Sequence, residues 1–181
     1  MENGPEPVVG ASLNSPHISA LTRVEGAMTE SLMRLWTRVR VEVHIAPNQL
    51  TLFEPERGYV DLGAAFELGG ASPQDLLWVI TAWNPAATER EARFNRLDQA
   101  RMLLELARAG LGFFPSKGSA PGWEEPGTAF FSPSGELAAA LAGRFGQLGY
   151  YRFGRTEGFC VDATGRFPPS RLGSAPGQTA R

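Results

Sequence analysis

The chain has 181 residues, 43% of them hydrophobic and 20% charged, and a formal net charge of −2. That length suits one well-packed domain, and the near-neutral balance excludes a general electrostatic pull toward nucleic acid or anionic membrane. No apolar run approaches the roughly 20 residues that a membrane-spanning helix needs. A lone cysteine excludes an internal disulfide, and Cys160 with His17 and His44 is too small a set for a thiolate or imidazole metal site.

From the N-terminus, residues 1–27 mix Pro, Gly, Ser and Asn without a sustained period and are expected as a flexible tail. The opening MENGPEPVVG carries acid and proline where a secretory leader has basic charge and an apolar block, which points to a cytoplasmic protein. Thr29 is placed to cap a short helix in which Leu32, Leu35, Trp36 and Val39 recur at helical spacing. Residues Val39 to Ile45 then alternate apolar and polar, the period of a strand with one buried face, and Pro47-Asn48 supplies a turn into Leu50 to Phe53. Glu54 to Pro73, rich in Gly, Pro and acid, reads as a connector without assigned form.

Leu76 to Ala82 is apolar except for Thr81, as a strand covered on both faces requires, and Asn84-Pro85 ends it because proline cannot donate to a central ladder. Thr88-Glu89-Arg90-Glu91 has the pattern of a reciprocal helix cap, so the spacing predicts a helix from Glu89 to Ala109 stopped by Gly110. Ala92, Ala100, Leu103, Leu106 and Ala107 form its expected core side. A short strand (Leu111 to Phe114), a glycine-rich loop (Ser116 to Gly122), a strand around Thr128 to Phe131, a helix carrying Leu137, Leu141 and Phe145, and strands at Gly149 to Phe153 and Phe159 to Val161 complete the set. The order from Leu76 is strand, helix, strand, strand, helix, strand. The expected fold is therefore α+β, a ferredoxin-like split βαβ core (βαββαβ) widened by the N-terminal helix and hairpin, over residues 28–164, with a second flexible tail at 165–181.

Arg90, Arg93, Arg101 and Arg108 fall near one line of the long helix, but Glu91, Asp98 and Glu105 sit beside them at pairing distances. A solvated face explains that stripe better than a nucleic-acid surface. Asn95 and Gln99 lie at the margin of the apolar side, where an amide left unpaired costs on the order of 1–3 kcal/mol. They are expected to bond to backbone, to Asn84 or to a ligand. Trp123-Glu124-Glu125 and Gln147 offer an aromatic face, carboxylates and another amide that this fold can bring to the same edge. Glu125 would need a raised pKa to act as an acid or base near neutrality. His44 falls on the polar phase of its strand, Cys160 reads as a buried filler, and Lys117 lacks phosphate-loop spacing.

Together Ile80-Thr81-Ala82-Trp83-Asn84-Pro85, Asn95, Trp123-Glu124-Glu125-Pro126 and Phe145-Gly146-Gln147 resemble the bacterial family known as domain of unknown function 3293, over roughly Leu76 to Phe153. The matching positions are Thr81, Asn84, Pro85, Asn95, Trp123, Glu125, Phe145, Gly146 and Gln147. Gly127 stands where the family usually has serine, and Leu148 where it commonly has asparagine. The resemblance implies this element order and this residue cluster, and it names no reaction.

The expected function is a non-catalytic binding or regulatory module without a cofactor. It would use Asn84, Asn95, Trp123, Glu125 and Gln147 to recognise a small polar ligand or a protein partner, with no nucleic acid or membrane involved. The alternative is an enzyme with Glu125 as acid or base and Asn84, Asn95 and Gln147 orienting the substrate. An exposed apolar edge at Gly149 to Phe153 would favour a homodimer.

Overall fold

The structure, a computed structural model, describes residues 28–173. In chain order the elements are α1 (Glu30–Trp36), β1 (Arg40–Ile45), β2 (Asn48–Glu54), β3 (Gly58–Tyr59), α2 (Leu62–Leu68), β4 (Leu76–Ile80), a 3₁₀ turn (Pro85–Ala87), α3 (Ala92–Arg108), β5 (Phe113–Ala120), β6 (Trp123–Ser132), α4 (Glu136–Arg144), β7 (Gly149–Phe153), β8 (Gly158–Asp162) and β9 (Ser170–Arg171). All nine strands form one sheet in the order β3-β2-β1-β5-β6-β4-β7-β8-β9, and every adjacent pair is antiparallel. The chain is thus a mixed α+β protein built on an antiparallel sheet.

Strand alternation sorts the core into two layers. Leu77, Val79, Ala129 and Phe153 face a cluster completed by Leu32 and Met33 of α1 and Leu62, Ala65 and Phe66 of α2. Trp78, Ile80, Phe130 and Tyr150 face the other way, against Met102 and Leu106 of α3 and Ala138, Leu141 and Ala142 of α4. Burial of each large side chain in these layers contributes about 1.5–3 kcal/mol. β4 is therefore covered on both faces, as its unbroken apolar run requires.

Local signals operate where expected at several places. Thr29 caps α1, its hydroxyl accepting from the Leu32 amide at 3.1 Å. Gly110, at φ +72°, closes α3 with the Leu111 amide donating to the Leu106 carbonyl at 3.1 Å.

Elsewhere the structure corrects the expectation. The connector Glu54 to Pro73 holds β3 and α2, because Leu62, Ala65 and Phe66 share one buried helical stripe. The loop at Ser116 to Gly122 is mostly strand: β5 runs to Ala120, which pairs with Trp123 across a two-residue Pro121-Gly122 turn with Gly122 at φ +75°. Helix α3 begins at Ala92, with Glu91 in the cap position and no side-chain cap bond. It is also rolled from the expected orientation, burying Asn95, Met102 and Leu106 and exposing Ala92, Ala100 and Ala107. β7 lies between β4 and β8, so Gly149 to Phe153 is not a free edge. Within the stretch 165–173, β9 pairs with β8 and Leu172 is buried; residues 1–27 and 174–181 lie outside the described residues.

Candidate functional site

Past Ile80 the chain leaves the sheet through a loop whose polar groups are almost all spoken for. The Thr81 hydroxyl donates to the Pro126 carbonyl at 2.8 Å and accepts from the Trp83 amide at 2.9 Å. The Ala82 amide donates to Gln99 Oε1 at 3.2 Å, and Gln99 Nε2 donates to Thr128 Oγ1 at 2.5 Å. Asn84, Ala86 and Ala87 then adopt left-handed backbone, at φ 47°, 54° and 55°. Asparagine tolerates that region, but each alanine there costs roughly 1–2 kcal/mol, so the surroundings must impose the conformation.

Asn95 holds the Asn84 end of this loop. Buried at the start of α3, it accepts from the Asn84 amide through Oδ1 at 3.0 Å and donates through Nδ2 to Asn84 Oδ1 at 2.9 Å and to the Arg90 carbonyl at 3.2 Å. Asn84 Oδ1 also accepts from the Arg90 amide at 3.2 Å. The side chain of Asn84 thus takes over the helix entrance that the Thr88 hydroxyl was expected to hold; that hydroxyl faces the Ala86 carbonyl at 3.5 Å instead. From the other side, buried Gln147 donates to the carbonyls of Trp83 at 2.9 Å and Phe145 at 3.3 Å, and the Ala86 amide donates to the Gly146 carbonyl at 2.8 Å. Asn84, Asn95 and Gln147 do meet around one loop, and they spend these bonds on the chain itself.

Trp123 and Glu125 lie in β6, two residues apart and hence on one face. Trp123 packs into the core layer of α1 and α2 and forms no part of the amide network. Glu125 does reach that network. Burial pushes its carboxyl up to about 8, against a hydrogen bond from the Asn84 side chain that pulls it down. The Tyr151 phenol, which donates to the Trp36 carbonyl at 3.2 Å, is raised chiefly by its own burial, with smaller contributions from the charges of Cys160 and Glu125.

Two further polar atoms near the end of β4 have no hydrogen-bond partner among the described residues, Ser116 Oγ and Trp83 Nε1. Ser116 pairs with Gly127 across the β5–β6 ladder. A Cβ at Gly127 would stand 2.8 Å from Ser116 Oγ and 2.9 Å from the Ile80 carbonyl oxygen, which is why this chain has glycine there. Neither atom stood out in the sequence; the surroundings of Ser116 are set by its cross-strand pairing and those of Trp83 by the loop after β4. Cys160 is buried, and burial raises its thiol. Lys117 is engaged by Glu124 at 3.1 Å and Glu42 at 3.6 Å.

Such a chain belongs to the class of antiparallel α+β proteins in which a strained strand-to-helix loop is held by buried amides beside a carboxyl group whose pKa burial raises. Residues 80–149, the segment that builds this loop, match the model of the family described as Protein of unknown function (DUF3293). No curated protein and no solved structure matches the chain. Among the described residues no helix is long and apolar enough to cross a membrane.

Proposed function

We propose that the chain is a non-catalytic binding module of ferredoxin-like type, in which the end of β4 is the working edge and Glu125 is the contact for a small polar ligand or a partner's backbone. One observation carries this reading: within the cluster of Asn84, Asn95, Gln147 and Glu125, the amides are committed to holding the loop, whereas Glu125 has hydrogen-bonding capacity to spare. With its carboxyl raised to about 8, Glu125 is mostly protonated at neutral pH and offers a donor and an acceptor together. The ferredoxin-like assignment is supported by the order β5-β6-β4-β7 and by α3 and α4 contributing to the same core layer. The same reading keeps a cytoplasmic protein with one domain, carried past residue 164 to take in β9, and limited proteolysis would test it by cutting only outside residues 28–173.

A fragment screen followed by NMR tests the binding role. Compounds that pair a donor with an acceptor should perturb resonances around Asn84 and Glu125, and the effect should persist in Glu125→Gln and vanish in Glu125→Ala. Hits that ignore both substitutions would overturn the assignment.

The second reading is an enzyme with Glu125 as acid or base and Asn84, Asn95 and Gln147 orienting substrate. What favours it is the carboxyl near 8, which populates both protonation states around neutrality. Glu125→Gln separates the two readings, because the amide preserves hydrogen bonding and abolishes proton transfer. An activity lost by more than about a hundredfold in that variant would establish the second reading.

A further inference from the structure

On the helical side of the same loop, independently of Glu125, α3 and α4 flank an open groove of about 460 Å³. Its apolar part is supplied by Pro85 and Phe145, and Gly146, at φ 63°, completes it. These are three of the positions that carry the family resemblance, and all of the groove lies within the matched segment. Arg90, Arg101 and Arg144 stand along it.

The arginines are fixed by two shared carboxylates. Asp98 bonds Arg90 at 2.7 Å and Arg101 at 3.0 Å, and Glu105 bonds Arg144 at 2.8 Å and Arg108 at 3.2 Å. Two acids thus hold four guanidinium groups, leaving a local excess of positive charge. The charges are also layered: the side chains of Asp98 and Glu105 are 15% and 30% exposed, whereas Arg101 and Arg144 are each 61% exposed. A guanidinium carries five N–H donors in a planar fork, so one carboxylate contact leaves donor edges free for a second anion. Holding the fork in place beforehand reduces the entropy lost when that anion arrives.

We infer that this groove is a binding site for an organic phosphomonoester, whose phosphate bridges Arg101 and Arg144 while an apolar body lies on Pro85 and Phe145. The shared chemistry covers a free small molecule and a phosphorylated side chain in a peptide. Recessed acids explain why the arginine line of α3 looks like an ordinary solvated face in one dimension: the groove needs Arg144 and Phe145, contributed from the other helix end.

Phenyl phosphate is the probe, titrated into the full-length protein by NMR or calorimetry, with inorganic phosphate and phenol as separate ligands. Saturable binding of phenyl phosphate is expected, at least tenfold tighter than either part alone and weakening as salt rises. The double variant Arg101→Gln/Arg144→Gln should lose at least tenfold, and Glu125→Gln should leave binding unchanged. A peptide bearing phosphotyrosine that binds tighter than phenyl phosphate would assign the site to a protein partner, and an equal or weaker peptide would assign it to a small molecule. No saturable binding, or binding that the arginine variants leave intact while their melting temperatures match the parent, would overturn the inference.

Discussion

At the scale of single residues the decisive groups are Glu125 and Asn95, and they differ in kind. Glu125 titrates differently in the two states of the chain: its carboxyl has an ordinary value of 4.5 and is raised to about 8 in the fold, mainly by burial. Below 4.5 both states carry the proton and the stabilising effect is fully present. Between these values the folded chain keeps a proton that the unfolded chain has released, so stability falls as pH rises, and the loss is complete above about 8. The slope between the two values is about 1.4 kcal/mol per pH unit, and solvent reaching the carboxyl narrows the pH window over which it applies. Urea denaturation at pH 5.5 and 8.5 should therefore show the parent losing stability that Glu125→Gln retains; parallel curves for the two proteins would mean that the carboxyl is not desolvated. Asn95 acts through geometry instead. Asn95→Ala would strip the partner from the Asn84 amide and the Arg90 carbonyl and leave Asn84 Oδ1 with the Arg90 amide alone, and each buried group left unpaired costs about 1–3 kcal/mol. A loss of roughly 3 kcal/mol is expected in chemical denaturation. Gln147→Ala should cost less, since its two bonds both go to carbonyls, which tolerate incomplete pairing better than amides do.

At the scale of elements, what was legible in the sequence is what depends on neighbours in the chain. The β4 run, the Thr29 cap, the Gly110 stop and the order of strands and helices from β4 to β8 follow from local pattern, whereas β3, α2 and β9 do not. The roll of α3 does not. Counting apolar residues around the helix favours a face through Ala92, Ala100 and Ala107, yet Asn95 and Gln99 turn inward because the amides of Asn84 and Ala82 await them. Two side-chain acceptors of loop N–H groups outweigh a few exposed methyls, and the roll leaves Phe94, Leu97 and Leu104 in solvent. The strand expected around Thr128 to Phe131 starts as early as Trp123, because the Pro121-Gly122 turn is hidden among other small residues, and the membership of Asn84, Asn95 and Glu125 in one cluster was readable while the direction of their bonds was not. The turn after β4 makes its own prediction. Ala87, at φ 55°, should tolerate glycine with no loss or a gain of about 0.5 kcal/mol, as relief of the left-handed strain offsets the lost methyl contact and the freer unfolded chain. Ala87→Val, β-branched in the same conformation, should lose more than about 1 kcal/mol. Thermal melts of the pair decide it; equal melting temperatures would mean that the backbone there is not held left-handed.

At the scale of the whole molecule, the sheet joins distant parts of the chain, and its far edge shows how much of the C-terminal stretch participates. β9 pairs through Ser170 and Arg171 with Cys160 and Phe159, while the Leu172 amide donates to the Gly158 carbonyl at 2.9 Å. The Leu172 carbonyl accepts from the Tyr59 hydroxyl at 3.2 Å, and the Gly173 amide donates to the Thr37 carbonyl at 3.2 Å. These bonds tie β8 to the segments around β3 and α1, which pack into the same layer. Leu172, 3% exposed, is the apolar group at that junction. Its removal takes away buried surface and leaves a cavity between parts of the chain more than a hundred residues apart. Leu172→Ala should therefore destabilise the protein by about 2–4 kcal/mol, a value typical of core leucines and far above the ±0.5 kcal/mol of a solvated surface residue. If equilibrium unfolding places the variant within 0.5 kcal/mol of the parent, the stretch from Ser170 to Gly173 behaves as the tail its composition suggests. A full core-sized loss would make it a structural strand that closes the first layer.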